Sequence, residues 1–177
     1  MSTRVVLQQA DITRALTRIS HEILESNRGT DNLVILGIPT RGVLLGQRIA
    51  GIIQGIEPTE RQLVGQIDVT MYRDDLASHP TRTSSPTDIP VGGIEGATIV
   101  LVDDVLYSGR TIRAALDALA DFGRPRAVRL AALIDRGHRE LPIRADFIGK
   151  NLPSAVSERI NVRLQELDGV DEVTIDS

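Results

Sequence analysis

The 177-residue chain contains no cysteine, and aromatic residues make up only 2% of it. Without cysteine, a disulfide framework, a cysteine-ligated zinc site and a thiol nucleophile are all excluded. Long hydrophobic runs are also missing, since the apolar segments 33–38 and 97–102 are far shorter than the roughly 20 residues of a membrane-spanning helix. The N-terminus does not have the pattern of a secretory signal peptide. We therefore expect a cytoplasmic protein with no membrane segment, folded as a single domain over residues 1–177.

Lysine is nearly absent, because Lys150 is the only one among the 20 basic residues. The planar guanidinium of arginine suits phosphate oxygens, although a GC-rich genome favours arginine without any functional reason. The formal net charge is −4, and no basic residue follows Arg163 while five acids do. This balance argues against non-specific nucleic-acid binding but permits a local basic patch.

Buried strands alternate with helices along the chain, which predicts an α/β fold with a mostly parallel sheet. We expect a first helix capped by Asp11 and ending near Asn27, with Ile12, Ala15, Leu16, Ile19 and Ile23 buried. The remaining predicted elements are strands at 33–38, 63–72, 98–102 and 127–134, helices at 43–54 and 111–122, and a hairpin of 160–167 with 170–175. In parallel sheets ligands bind beyond the carboxyl ends of the strands. Three polar segments fall there: 40–42, 103–104 and 135–136.

Residues 99–111, with the sequence IVLVDDVLYSGRT, carry the strongest functional signal. A buried strand delivers two adjacent carboxylates, and a glycine-containing loop then leads into a helix. Free amides at a helix start bind anions, and Gly109 permits close approach of the backbone. The segment thus offers carboxylates that accept hydrogen bonds from sugar hydroxyls, beside amides that donate to a phosphate. Together they describe a site for a ribose 5-phosphate. An acidic pair alone would more often be an ordinary helix start, but the whole string argues against that interpretation.

That string resembles the phosphoribosyl pyrophosphate (PRPP) signature of type I phosphoribosyltransferases. Segments 15–19, 37–42, 67–76 and 133–151 further resemble one subgroup, the bifunctional pyrimidine operon regulatory proteins/uracil phosphoribosyltransferases (PyrR). The resemblance extends from about Val5 to Val173. It implies a type I phosphoribosyltransferase fold, a twisted and mostly parallel sheet flanked by helices with a small hood. The hood would comprise about 135–153 with contributions from both termini, and a mobile active-site loop would span about 73–96.

The resemblance also implies the roles of individual residues. Asp103 and Asp104 would hold the ribose hydroxyls and stabilise positive charge at the anomeric carbon, the loop up to Thr111 would bind the 5-phosphate, and Arg41 would neutralise the leaving diphosphate. Arg73 would act from the mobile loop, which would exclude water. The expected catalytic residues are Asp103, Asp104, Arg41 and Arg73, and the expected PRPP and UMP contacts are Thr40, Arg41, Gly42, Asp103, Asp104, Val105, Leu106, Tyr107, Ser108, Gly109, Arg110 and Thr111.

Magnesium is implied as an ion carried by PRPP, with no dedicated protein metal site. Uracil would be read by the backbone near Arg136 and Gly137, because its edge alternates acceptor and donor groups. No residue is an obvious general base. His138 is a candidate proton acceptor, and equally a phosphate or RNA contact or an ordinary surface residue.

The family also binds a hairpin of pyrimidine-operon mRNA, and uridine nucleotides (UMP, UTP) enhance the binding. Arginine, lysine, histidine and hydroxyl side chains suit RNA loops and phosphates, although a charged helix face is often only solvated. The expected RNA contacts are Thr17, Arg18, His21, Arg139, Arg144, Lys150 and Arg159.

We therefore expect an enzyme that makes UMP and diphosphate from uracil and PRPP, and that regulates pyrimidine genes by binding their mRNA. One alternative is an RNA-binding nucleotide sensor with little or no catalytic activity. Another is a transferase for a purine or orotate, which residues 135–151 argue against. The resemblance also implies a homodimer or a larger homo-oligomer.

Overall fold

The computed structural model describes residues 1–74 and 85–177, and contains two sheets. The larger sheet is parallel, with five strands in the order β3-β2-β4-β5-β6, and the smaller is antiparallel, in the order β1-β8-β7. The strands are β1 Thr3–Gln8, β2 Leu33–Gly37, β3 Val64–Gln66, β4 Thr98–Leu106, β5 Ala127–Asp135, β6 Phe147–Asn151, β7 Arg159–Arg163 and β8 Glu172–Asp176. The helices are α1 Gln9–Asn27, α2 Arg41–Ile56, α3 Arg110–Leu119 and the single turn α4 Gln165–Asp168.

The large sheet has a hydrophobic core on each face. Successive side chains of each central strand point to opposite faces, so that every central strand contributes to both cores. Leu33 and Ile35 of β2 join a core that contains the apolar stripe of α1 and the inner face of the small sheet. Val34 and Leu36 join a second core formed with α3. The five residues predicted to form the stripe of α1 are all buried. Among the described helices, none is long and apolar enough to cross a bilayer.

Several predicted boundaries are wrong by a few residues, for local reasons. Helix α1 begins at Gln9, and Asp11 is not its N-cap but accepts the Gln8 N–H at 2.8 Å from within the first turn. The predicted strand 63–72 ends at Gln66, because the Asp68 carboxylate accepts the Thr70 N–H at 3.0 Å and turns the chain into a 3₁₀ turn. The strand predicted to end at Val102 continues to Leu106.

The hairpin at the C-terminus is correct in its pairing, but its connection is longer than predicted. Strand β7 ends at Arg163, and the connection to β8 contains the helical turn α4, which Gly169 ends with φ +73°. Strands β1 and β6 were not predicted from the sequence. The pairing partner of β1 is β8, at the other end of the chain, and the two termini also meet through the backbones of Ser2 and Ser177.

Segments β2, α2 and β4 approach each other closely where α2 begins. A Cβ atom on Gly42 would lie 2.4 Å from the Val102 carbonyl oxygen, and the Ile38 N–H donates to that same oxygen at 2.9 Å. Only a glycine allows helix α2 to start this near Val102 of β4. The contact therefore sets the distance between segment 40–42 and the acidic pair that follows Val102.

We predict that Gly42→Ala lowers the free energy of unfolding by about 1–3 kcal/mol, since backbone must move to admit the methyl group. The matched control is Gly51→Ala in the same helix, where a Cβ meets nothing within 4 Å. There alanine should raise stability by about 0.5–1 kcal/mol. Urea denaturation followed by far-UV circular dichroism measures both. A Gly42→Ala variant as stable as Gly51→Ala would refute the packing constraint.

Candidate active site

A cleft of about 860 Å³ lies between the carboxyl edge of the large sheet and the polar face of the small sheet. Thr40, Arg41, Asp103 and Asp104 line it from the large sheet. The small sheet lines it with polar residues of its strands, including Arg159, Asn161, Arg163, Thr174 and Asp176. Ile160 and Val162, which lie between them, also border the cleft, while their side chains are buried in the core. The cleft therefore lies where a parallel sheet is expected to bind its ligand.

The acidic pair lies within the last residues of β4, and not beyond the strand as predicted. The Asp104 N–H donates to Asp103 Oδ1 at 2.9 Å, and the Val105 N–H donates to Asp104 Oδ1 at 2.8 Å. These two bonds hold each carboxylate against its own backbone, next to the cleft. Each carboxylate keeps lone pairs that can accept hydrogen bonds from ligand hydroxyls.

Asp103 has a pKa well above the usual range of an aspartate. Removal of water by the surrounding protein is the main cause, and the neighbouring Asp104 charge adds to it. Arg73 opposes the shift, because its guanidinium favours the charged form of Asp103. The site thus holds a carboxylate whose ionised form is costly until a cation or a set of hydroxyl donors arrives.

The loop after β4 begins helix α3 as the sequence predicts. Gly109 occupies the N-cap position with φ +94°, where residues with a side chain are strained. Thr111 lines the cleft, and Arg73 Nη1 donates to its Oγ1 at 3.2 Å. Arg110 turns away, to Glu140 and Asp74, and the Leu106 side chain lies in the core. The Arg110 N–H donates to Ser108 Oγ at 3.3 Å, so the next amides of α3 and the Thr111 hydroxyl are the anion donors that this loop offers.

Segment 40–42 forms the start of α2, and its residues Thr40 and Arg41 line the cleft. The peptide bond between Pro39 and Thr40 is cis. Arg41 reaches the small sheet, where its Nη2 donates to both carboxylate oxygens of Asp168 at 2.8 and 3.1 Å. The Nε atom of Arg41 is buried and has no hydrogen-bond partner within the described chain. The predicted diphosphate residue thus lines the cleft with one guanidinium edge held by Asp168.

The predicted uracil contacts lie beside the cleft and are already engaged. Arg136 is buried, its guanidinium bonds the carbonyls of Ala155 and Glu158, and it stacks on Tyr107 at 4.4 Å. Its own N–H donates to the Leu106 carbonyl, and the Gly137 N–H donates to Asp135. Both backbone N–H groups are thus engaged within the protein, so that the backbone carbonyls of this segment are the groups left for the predicted reading of uracil. His138 Nε2 lies 2.5 Å from the Ser154 carbonyl oxygen, so this nitrogen is the protonated one.

The predicted RNA contacts lie in three places: on or near α1 and β6, folded onto Asp135, and in the cleft. Thr17, Arg18 and His21 lie along α1, which packs against β6, the strand that contains Lys150. Arg18 donates to the carbonyls of Ile148 and Gly149 in that strand, and Arg144 is exposed just before it. Arg139 folds inward onto Asp135 and the Tyr107 carbonyl, and Arg159 lines the cleft. The structure therefore removes these last two from the surface on α1.

Some residues of the cleft were missed from the sequence. Asp68 and Thr70 come from the turn after β3, and Asn161 and Arg163 come from β7 of the small sheet. The alternation of β7 was a signal that one of its faces is polar, but no pattern shows which ligand it faces. The predicted mobile loop of about 73–96 includes residues 75–84, which lie outside the described residues.

Comparison with known proteins gives a consistent result for nearly the whole chain. Residues 3–166 match the family model of the phosphoribosyl transferase domain. The bifunctional protein PyrR of Leifsonia xyli subsp. xyli is 73% identical, with 99% of this chain and 98% of the relative aligned. That of Streptomyces coelicolor is 61% identical, with 97% and 89% aligned.

Solved structures give the same fold. The hypoxanthine phosphoribosyltransferase of Trypanosoma cruzi superposes with a TM-score of 0.72 at 15% identity, covering 97% of this chain and 95% of the other. That of Staphylococcus aureus gives 0.71 at 16% identity, covering 96% and 89%. At such identities the match concerns the fold, and it confirms the predicted type I phosphoribosyltransferase architecture.

The raised pKa of Asp103 predicts how stability depends on pH. The pKa of Asp103 is higher in the folded than in the unfolded protein. Its contribution to the free energy of unfolding is therefore complete below pH ~4, and is lost as pH rises through the folded pKa. Asp103→Asn should therefore be more stable than the wild type at pH 7–8, by about 1–3 kcal/mol, and this difference should shrink towards pH 4. Urea denaturation at fixed protein concentration across pH 4–8 measures it.

The matched control is Asp117→Asn on α3, which removes an exposed carboxylate. Its effect should stay within about 0.5 kcal/mol. A pH-independent difference between Asp103→Asn and the wild type would contradict the assigned cause.

Proposed function

The chain belongs to the phosphoribosyl transferase domain family and, within it, to the bifunctional PyrR proteins, and from this premise we propose two activities. It transfers the phosphoribosyl group of PRPP to uracil, giving UMP and diphosphate. It also regulates pyrimidine biosynthesis genes by binding their mRNA in response to uridine nucleotides. The observation that carries the proposal is a single cleft, lined by the acidic pair of Asp103 and Asp104, by Thr111 at the start of α3, and by Arg41 of segment 40–42.

The three parts of the cleft match the three parts of PRPP. Asp103 and Asp104 accept hydrogen bonds from the ribose hydroxyls. The amides at the start of α3 and the Thr111 hydroxyl bind the 5-phosphate. Segment 40–42, with the Arg41 guanidinium, binds the diphosphate. All three parts line the same cleft, as one substrate that carries a sugar and two phosphate groups requires.

The reaction breaks the bond between the anomeric carbon and the diphosphate oxygen, and forms a bond between that carbon and uracil N1, which loses its proton. Positive charge develops on the sugar as the leaving group departs. The carboxylates of Asp103 and Asp104 stabilise this charge, while Arg41 stabilises the negative charge of the diphosphate. Arg73, bonded to Thr111 at the opposite side of the acids, adds a further cation near the substrate.

Magnesium fits the site as an ion that the substrate carries. The carboxylates of Asp103 and Asp104 are oxygen ligands, which magnesium prefers. Within residues 1–74 and 85–177, no group of three or more His, Cys, Asp or Glu residues is arranged to hold a metal. When bound, the ion supplies neutralisation of the diphosphate charge. These two aspartates would hold it together with oxygens of PRPP.

Uracil lies, in this proposal, between the acidic pair and the hood formed by about 135–153 with the small sheet at the two termini. Since the amides of Arg136 and Gly137 are engaged, their contribution to recognition comes from carbonyl oxygens, which suit the uracil N3–H. The stacked pair of Arg136 and Tyr107 keeps this backbone in place beside the loop that follows β4.

RNA binding is assigned to the surface of α1 and β6, which we call the α1 surface: Thr17, Arg18, His21 and Lys150, with Arg144 nearby. Its side chains suit phosphate and loop-base contacts. This surface is separate from the cleft, so that a nucleotide and an RNA do not compete for the same groups. We further propose that the chain acts as a homo-oligomer in the cytoplasm.

We predict that Asp104→Asn lowers uracil-dependent diphosphate release from PRPP and magnesium by about 100-fold or more, as expected for loss of a charge that stabilises the transition state. Asp117→Asn serves as the control and should keep wild-type activity. The assay uses a panel of uracil, hypoxanthine and orotate. Turnover of hypoxanthine in place of uracil would refute the base assignment, and full activity of Asp104→Asn would refute the site.

The RNA activity is tested with a hairpin from a pyrimidine-operon transcript, in the presence of UMP. His21→Ala and Lys150→Gln should each weaken binding by about 3- to 10-fold, and Lys150→Gln should reduce the salt dependence by about one phosphate contact. The control is Arg113→Ala, on α3 at the other face of the sheet. No salt-sensitive binding by the wild type would exclude regulation, whereas RNA binding without UMP synthesis would indicate a nucleotide sensor.

A further inference from the structure

The connection between β7 and β8, residues 164–171, crosses the N-terminal half of α2, and we call it the acidic turn. Three of its carboxylates point at two arginines of that helix. Arg48 donates four hydrogen bonds of 2.6–3.0 Å to Glu166 and Asp171. This pairing lowers the pKa of both acids and fixes the turn to the helix.

Asp168 is the carboxylate of the acidic turn that reaches Arg41. Its Oδ2 atom also accepts the Leu164 N–H at 2.8 Å, which ties the side chain to its own backbone. This backbone bond is the main reason that the pKa of Asp168 is lowered, and Arg41 adds to it. Asp168 is therefore an ionised group at a fixed position, 19% exposed, and not a mobile surface acid.

Arg41 is held by this group through only one of its nitrogens. Its Nη2 atom shares both oxygens of Asp168, while its buried Nε atom has no partner among the described residues. A buried donor without an acceptor is costly, and native structures rarely keep one without a reason. Arg41 lines the cleft, and its Nη1 atom, which takes no part in the bonds to Asp168, is the guanidinium donor left for an anion there.

We propose that Asp168 is a positioning residue for the transfer reaction: it holds the Arg41 guanidinium at the edge of the cleft, ready for the diphosphate. The inference rests on the proposed function, since Arg41 acts there on the leaving group. Asp168 contacts no reacting atom. Its effect is to order a side chain that otherwise has many rotamers before the substrate binds.

The test compares Asp168→Asn with Glu166→Gln, a neutralised acid of the same turn whose partner is Arg48. Asparagine keeps an oxygen that can accept the Leu164 N–H. Because the Arg41 side chain would then have to be ordered when the substrate binds, Asp168→Asn should raise the KM for PRPP by about 3- to 10-fold. The KM for uracil should change by less than about 2-fold, and Glu166→Gln should change neither. Thermal unfolding of both variants reports on stability.

Direct binding of magnesium diphosphate, measured by calorimetry, separates this inference from the choice of base. Its Kd should rise in Asp168→Asn by the same factor as the KM for PRPP. In an Arg41→Gln background, Asp168→Asn should have no further effect, because it acts through Arg41. Equal effects of Asp168→Asn and Glu166→Gln, or additive effects with Arg41→Gln, would overturn the inference alone. Wild-type protein that binds diphosphate but makes no UMP would overturn only the uracil assignment, and protein that binds neither PRPP nor diphosphate would overturn both.

Discussion

The site depends on a contact between backbones, the approach of Gly42 to the Val102 carbonyl oxygen. The Ile38 N–H donates to this oxygen, and helix α2 starts against it with no room for a Cβ atom. The contact brings together segment 40–42, where α2 begins, and the acidic pair, which directly follows Val102. Side chains can rearrange, but two packed backbones set a separation that the substrate must match.

Both acidic and basic side chains line the cleft near this contact. Two adjacent carboxylates, one of them with a raised pKa, line the cleft together with Arg41, Arg73, Arg159 and Arg163. Burial and repulsion within the acidic pair favour protonation of Asp103, and Arg73 partly offsets them. A ligand with anionic ends and hydroxyl groups between them complements this pattern, and PRPP has that form.

The small sheet connects the two proposed activities physically. Its polar face closes over the cleft, and its apolar face shares one core with the stripe of α1, whose other side carries the α1 surface. A single packed layer therefore lies between the cleft and the α1 surface. The acidic turn of the same sheet forms ion pairs with Arg41 and Arg48 of α2, so the small sheet is also linked to segment 40–42.

Local patterns in the sequence determined the strand with its two acids, the glycine-led start of α3, the buried stripe of α1 and the loop 40–42. Each is set within about a dozen neighbouring residues, by periodicity, capping or glycine conformation. The tertiary structure alone decided that Arg159 faces the cleft, that Arg139 reaches the Tyr107 carbonyl, that β1 pairs with β8, and that Asp168 meets Arg41 127 positions away. The reason is that such contacts depend on strand register and on which face of a strand is covered, and a shift of one residue would reverse every side chain.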